Sequence, residues 1–368
     1  MPHLALIICT YKRPVPVQRL LAALRQQTRI PDCTLIVDAS PDQETAAAVQ
    51  AANGTLPQLL YVQAPPAHRG LTRQRNLGIA LLLGKPIPGC PPIAVVPPLQ
   101  DTDWIAFLDD DTVPAPGYFA EQAVCAERHA DAVGVGGYLL FPGGVTDWRK
   151  QTKGAPPNQV NVASGAAAQS SAKVWRWNDW ERPEDRRWRL RNWLHLSDQR
   201  YRPGWMPPGG HGRSTSFYPP DGHEYAVEFM MGGAAAWRVD LLKQLAFSPF
   251  FDGYGLYEDM DFCVRASRLG QLYVCTAAQL EHLHDPGGRP HHFRYGFMVV
   301  WNGWYVWRVR WPTPPWRERL RWWATTFLIM ACRFGNGFTG DGRAAFQETA
   351  GRLWGCLRTL IAPPRCDQ

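Results

Sequence analysis

Apolar positions follow two rhythms along this chain. Short unbroken runs at Leu4–Cys9, Thr34–Asp38, Leu59–Val62, Ile105–Leu108 and Ala132–Tyr138 read as buried strands. Between them lie stretches of helical period. One runs from Val17 to about Gln27 with Leu20, Leu21 and Leu24 on one face, and others cover Glu44–Ala52 and Phe119–His129. A further helix opens at Gly70 and carries Leu71, Arg75 and Gly78 on related faces. Strand–helix alternation of this kind predicts an α/β fold with a mostly parallel sheet and right-handed crossovers. Gln271–Cys275 reads as a last strand, followed by Leu280–Pro286. From about Tyr295 the pattern is helical. Val300, Trp304, Trp307 and Trp311 form one apolar stripe, Pro312–Pro315 interrupt it, and Trp316, Leu320, Trp323 and Phe327 form a second. Residues 84–100 and 142–225 are rich in Pro and Gly and read as insertions, the longer one lining a binding cleft.

The polar residues that interrupt these runs carry the candidate chemistry. Asp109-Asp110-Asp111 follows Ile105–Leu108 directly, and Pro114 and Pro116 stop the strand soon after. The carboxylates therefore sit at the strand's C-terminal end, where open α/β sheets place their ligands. Three adjacent carboxylates repel one another. A hard divalent cation removes that repulsion and completes its shell with phosphate oxygens; a solvated acidic turn with a helix N-cap is the plainer alternative. Arg73 and Arg75, at a helix start where the macrodipole disfavours cations, make sense as anion ligands. Glu228 to Arg238 contains Gly232-Gly233 and three alanines, small enough for a backbone to approach a ligand. Glu258, Asp259 and Asp261 open a helix after a Gly253/Gly255 loop, more carboxylates than a cap requires.

Composition narrows the class. The 368 residues are 45% hydrophobic and 19% charged, which is globular, and the net charge of +7 favours an anionic partner. The nine cysteines are scattered without a Cys-x-x-Cys pair, which argues against a disulfide scaffold or a zinc site and for a reducing cytoplasm. The opening segment lacks the basic region of a signal peptide, and no apolar run approaches the ~20 residues of a spanning helix. Arginines flank both tryptophan stripes, so these read as an interfacial anchor on anionic lipid or as a helix–helix contact.

Taken in order, Thr10-Tyr11-Lys12-Arg13, Val37-Asp38-Ala39-Ser40, Gly70-x-x-x-x-Arg75-Asn76-x-Gly78, Leu108-Asp109-Asp110-Asp111, Gly232-Gly233, Glu258-Asp259-x-Asp261-x-x-x-Arg265 and a late histidine resemble the family 2 glycosyltransferases of GT-A fold. The resemblance covers residues 3–300. It implies a GT-A domain over 1–295, with 142–225 inserted near the acceptor cleft, and a C-terminal amphipathic helical region over 296–368. It further implies an inverting, hexosyl- or deoxyhexosyl-transferring enzyme that works in cell-surface polysaccharide or glycolipid synthesis. The donor would be a nucleotide-diphosphate-sugar and the acceptor a saccharide or lipid-linked saccharide. Thr10, Tyr11 and Arg13 would line the nucleoside pocket and Asp38 would bond the base. Arg75 and Asn76 would steady the nucleotide and the acidic run's loop, Asp109 would approach the ribose or sugar, and Asp110 would join the nucleotide-sugar site. Asp111 would ligate Mn²⁺ or Mg²⁺ with His282, His284 being the close competitor. Asp259 would be the base, with Glu258 orienting the acceptor alongside Gly232, Gly233 and Trp237.

The chain departs from that family at Asp38-Ala39-Ser40, in the length of 142–225, and in lacking the long spanning helices of processive synthases. Two other readings compete. A sugar-phosphate nucleotidyltransferase would show a Gly-rich basic loop after the first strand, where this chain has Thr10–Pro14. A non-enzymatic binder of membrane or nucleic acid would suit the charge, although nothing resembles a nucleic-acid-binding motif. The expected location is the cytoplasm, peripheral on the inner face of the membrane; the oligomeric state is not legible.

Overall fold

The structure is a computed structural model that describes residues 2–140, 174–177, 180–183, 186–285, 287 and 290–366. The first part of the predicted insertion, through residue 173, lies outside the described residues. The chain forms two compact units, one of residues 1–147 and 220–289, the other of 148–219 and 290–368.

The first unit is an α/β layer. Its strands are β1 (Leu4–Thr10), β2 (Cys33–Asp38), β3 (Leu59–Gln63), β4 (Trp104–Asp109), β5 (Thr112–Pro114) and β6 (Ala132–Leu140). The first four alternate with α1 (Pro14–Leu24), α2 (Glu44–Ala51) and α3 (Leu71–Leu82), and α4 (Tyr118–Arg128) precedes β6. β1, β2 and β4 are solidly apolar because helices cover both faces of a central parallel sheet. Proline stands at the start of α1, where its missing N–H costs nothing, so this helix begins three residues earlier than its apolar face predicts.

The second half of this unit adds β9 (Glu224–Val227), β10 (Ala234–Arg238), α6 (Val239–Gln244), α7 (Glu258–Ala266) and β11 (Gln271–His282). Among the described residues they complete a nine-stranded sheet ordered β3-β2-β1-β4-β10-β6-β11-β5, with β9 also on β11. β1 to β4 pair in parallel, with Cys9 opposite Asp109 and Thr10 opposite Asp38. Their polar C-terminal residues therefore share one edge. β10 runs antiparallel to β4, placing Ala234 opposite Leu108, so the Gly232-Gly233 turn that precedes β10 meets the same edge.

The second unit holds the hairpin β7 (Val174–Trp177) and β8 (Trp180–Pro183), then α5 (Arg186–Trp193), α8 (His292–Arg310), α9 (Trp316–Asn336) and α10 (Gly342–Ile361). α8 and α10 cross closely through glycine: a Cβ on Gly296 would lie 2.0 Å from the Glu348 carbonyl oxygen, and one on Gly351 would lie 1.9 Å from that of Phe293. The two predicted tryptophan stripes part company here. Trp304 and Trp307 are core, 7% and 0% exposed, and pack on the Trp322 ring at 4.9 and 5.6 Å. On α9, Trp316, Leu320 and Phe327 point outward at 66%, 58% and 43% exposure, while Trp323 packs on the Trp304 ring at 5.4 Å. Periodicity locates an apolar face, but whether another element covers it depends on tertiary packing.

Candidate active site

The acidic run folds as a turn between β4 and β5, closed by Thr112 Oγ1 donating to the Asp109 carbonyl at 2.7 Å. Its three carboxylates go different ways. Asp110 turns inward, accepting from Thr10 Oγ1 at 2.8 Å and Arg13 Nη1 at 2.7 Å. Burial pushes its carboxyl up to about 6, against the pull of Arg13 and Thr10. Asp111 Oδ1 lies 3.0 Å from His282 Nε2, and Oδ2 accepts from the Asp285 N–H at 3.0 Å. Burial opposes ionisation of Asp111, but His282 and Arg13 outweigh it and hold the carboxyl down at about 2. Asp109 stays partly exposed, and one of its carboxylate oxygens, one of Asp111's and a ring nitrogen of His282 all lie within 4.8 Å of one another.

This cluster depends on a pairing that the apolar pattern does not reveal. β5 runs antiparallel to β11 with Thr112 opposite His282. The predicted last strand ends at Cys275. The actual strand shifts register between Val274 and Gln279 and continues to His282. The irregular stretch Thr276–Ala278 looks like a terminus in sequence and is a bulge in the sheet. Pro114 is tolerated because β5 is an edge strand. His284 adopts φ 55°, and its ring packs on that of His282 at 4.1 Å.

A second group of charges adjoins the first. Arg75 is buried on α3, bonds Glu258 through Nη1, and reaches Asp109 Oδ1 at 3.5 Å through Nη2. Its guanidinium lies over the Phe107 and Phe247 rings at 5.6 and 5.2 Å. Burial drives the Glu258 carboxyl up and Arg75 pulls it back. Asp259, next in sequence, faces another way, as residues about 100° apart on a helix must. Its Oδ2 accepts from the Gly232 N–H at 3.2 Å and its Oδ1 from the Met260 N–H at 2.8 Å. Burial raises the Asp259 carboxyl too, partly offset by the Gly232 N–H and Arg75. Gly232 and Gly233 make this gathering sterically feasible. A Cβ on Gly232 would stand 2.6 Å from Asp259 Cβ, and one on Gly233 would stand 2.2 Å from the Asp109 carboxyl. Gly233→Ala is therefore expected to displace Asp109 at a penalty of about 1–3 kcal/mol. Calorimetric titration with a nucleoside diphosphate should show weaker binding, and unchanged binding would mean that Asp109 moves without consequence.

Such a group of carboxylates at the C-terminal edge of a mostly parallel sheet agrees with what comparison with known proteins finds. The model of glycosyl transferase family 2 matches residues 5–198, more than half of the chain. The chain belongs to glycosyl transferase family 2. This sets aside the nucleotidyltransferase and non-enzymatic readings: the protein is a glycosyltransferase, and its fold is of the GT-A type. Among solved structures it is similar to the mannosyltransferase PcManGT from Pyrobaculum calidifontis in complex with GDP-Man and Mn2+, with TM-score 0.50 and 12% identity over 98% of this chain and 87% of that one. S. aureus TarS 1-349 in complex with UDP aligns with TM-score 0.44 and 13% identity over 93% and 73% of the two chains. A search of curated proteins found no match.

Several residues of this family 2 transferase lie elsewhere than their motifs suggest. Asp38 is fully buried, and its oxygens accept from Ser40 N–H, Ser40 Oγ and Tyr61 OH at 2.8, 2.6 and 2.9 Å, so it braces the strand end and is not presented to a base. The Asn76 amide clamps the backbone of Phe247, donating and accepting at 2.9 Å. Trp237 belongs to the core, 1% exposed and edge-on to Phe262, and lines no acceptor cleft. Asp110 is spent on Thr10 and Arg13 instead of reaching a sugar. Arg13 ties the acidic turn to the Asp285 carbonyl at 2.8 Å and to that of Gly287. Tyr11 remains exposed at the strand end. Sequence reasoning missed Asp285, whose N–H holds Asp111 and whose carboxylate pairs with Arg19. Its only signal in the sequence is the Asp285-Pro286 dipeptide after the histidines.

The depressed carboxyl of Asp111 has a pH consequence. Its share of stability is present above the ordinary carboxylate value and is lost as pH falls through about 2. A shift of this size corresponds to about 2 kcal/mol. Asp111→Asn should therefore melt below the parent at pH 7, and the two melting curves should converge between pH 4 and 2. Parallel curves across that range would show that the Asp111–His282 pair does not contribute.

Proposed function

We propose that the enzyme transfers a glycosyl group from a nucleotide-diphosphate-sugar to a hydroxyl of a saccharide or lipid-linked saccharide, with inversion at the anomeric carbon, in cell-surface polysaccharide or glycolipid synthesis. The observation that carries this reading is the convergence of Asp109, Asp111 and His282 beside Asp259, across the Gly232-Gly233 turn. Two carboxylates and an imidazole are a donor set suited to Mn²⁺ or Mg²⁺. Bound there, the ion neutralises charge on the departing diphosphate. Asp111 and His282 would be the principal ligands, with Asp109 completing the cluster. Asp259 removes the proton of the attacking hydroxyl as that oxygen bonds the anomeric carbon and the nucleoside diphosphate leaves, so one base suffices for a single displacement. Glu258 is held by Arg75 and fixes the first turn of α7, aiming Asp259. The test is a panel of nucleotide-sugars with Mn²⁺, which should yield nucleoside diphosphate and a glycosylated acceptor. Failure to consume any nucleotide-sugar, with or without acceptors, would count against the reading.

A separate observation bears on where the enzyme works. Residues 290–368 carry eleven arginines, no lysine and four acidic residues, a net charge equal to the whole chain's +7. On α9 the exposed Trp316, Leu320, Phe327 and Phe334 recur at helical spacing, flanked by Arg317, Arg319 and Arg321. No helix among the described residues is long and apolar enough to cross a membrane. We infer peripheral docking of α9 on an anionic bilayer from the cytoplasmic side. Flotation should recover the protein with phosphatidylglycerol vesicles and not with neutral ones. Trp316→Ser with Leu320→Ser should weaken recovery at least about tenfold, since each buried side chain is worth about 1.5–3 kcal/mol. Equal, negligible binding to both vesicles, or concentration-dependent dimers that the same substitutions dissolve, would assign the stripe to a second copy of the chain.

A further inference from the structure

A second cluster of donors lies at the opposite end of β11 from His282, and the transfer chemistry makes no use of it. Cys125 and His129 are four residues apart at the C-terminal end of α4, so they share a helix face. Cys275 on β11 stands directly opposite Glu224 on β9, so these two share a face of the sheet. The helix face and the sheet face meet. Donor atoms of Cys125, His129 and Glu224 all lie within 4.8 Å of one another, and Cys275 Sγ faces the same helix, donating to the Glu121 carbonyl at 3.8 Å. His129 Nε2 is 2.8 Å from Glu224 Oε2. We propose that Cys125, His129, Glu224 and Cys275 form a structural zinc site that fastens α4 to the sheet.

Three features support zinc. The donor set of two sulfurs, one imidazole and one carboxylate suits a closed tetrahedral site; three of the four donor atoms already cluster within 4.8 Å, and Cys275 is supplied from the register position opposite Glu224. The His129 ring stacks on Tyr273 at 3.8 Å with 16° between planes, which fixes the direction of its nitrogens. Two thiolates and a carboxylate exceed the charge of Zn²⁺ by one, and Arg128 lies 3.1 Å from Glu224 to offset the excess. Binding releases the protons of Cys125 and Cys275 to solvent, and Zn²⁺ takes their place without any redox step. The sequence argues against zinc because its cysteines are single and scattered; the fold brings two of them together from distant segments. Sulfur donors select zinc over the Mn²⁺ or Mg²⁺ that oxygen donors prefer, so the two sites are chemically separable. The inference stands independently of the proposed transfer reaction.

The experiment uses the full chain carrying Asp111→Asn, which disables the other cluster. After exposure to Zn²⁺ and exhaustive dialysis under reducing conditions, elemental analysis should find one zinc per chain. Co²⁺ in place of zinc should give the intense tetrahedral d–d bands and the thiolate-to-cobalt charge-transfer band. Adding Cys125→Ser and Cys275→Ser should remove both the metal and the charge-transfer band. Because those side chains are buried, His129→Asn and Glu224→Gln provide partly exposed alternatives, each expected to weaken zinc binding at least tenfold. A parent without the thiolate–cobalt band, zinc affinity unchanged by His129→Asn, or a Cys125–Cys275 disulfide found in the reduced preparation would overturn the proposal.

Discussion

Asp259→Asn is expected to lose about 10²–10⁴-fold in kcat for sugar transfer while nucleotide-sugar affinity stays near that of the parent. The substitution is almost isosteric. An asparagine Oδ1 can still accept from the Met260 N–H, so the first turn of α7 keeps its geometry. What disappears is the group able to take a proton, together with the acceptor for the Gly232 N–H. The raised carboxyl of Asp259 adds a signature: the acidic limb of kcat/KM should lie above the usual carboxylate range and vanish in the variant. Glu258→Gln should act differently, because Glu258 is engaged with Arg75 and reaches the chemistry only by positioning. Calorimetry with the donor, alongside steady-state rates, separates the two. Near-parental kcat in Asp259→Asn would transfer the role of base to another carboxylate.

The largest effect on stability is expected at Arg75. Replacing it with methionine leaves Glu258 buried without its cation, and breaking one side of a buried pair costs about 3–5 kcal/mol. The melting temperature should fall by on the order of 10 °C. Removing both charges, in Arg75→Met with Glu258→Gln, should recover most of that loss because no uncompensated carboxylate remains. If the double variant is as unstable as the single one, the stacking of the guanidinium on Phe107 and Phe247 provides the stability, and the ion pair does not.

The parts of this molecule legible in the sequence are those where one physical requirement dominates. β1, β2, β4 and β6 are covered on both faces, so each reads as an apolar run. The acidic turn is legible because three adjacent carboxylates need a reason. What failed is side-chain direction. Asp38, Asn76 and Asp110 occupy their motif positions, yet each is consumed by neighbours that only the folded chain supplies. Arg75, expected to be an anion ligand, pairs with the protein's own Glu258 and Asp109. Trp237, an aromatic expected in a cleft, lies in the core. β11 escaped because three small residues at its bulge mimic a strand end.

The most direct test is calorimetric titration of nucleoside diphosphate into the protein, with and without Mn²⁺, for the parent, Asp111→Asn and His282→Ala. The central claim is that the ends of β4 and β11 together hold the ion that carries the donor's diphosphate. It predicts Mn²⁺-dependent binding in the parent and loss of that dependence in both variants, each of which still shows a single cooperative melting transition at neutral pH. Binding of equal strength in EDTA, or Mn²⁺-dependent binding that survives both substitutions, would contradict it.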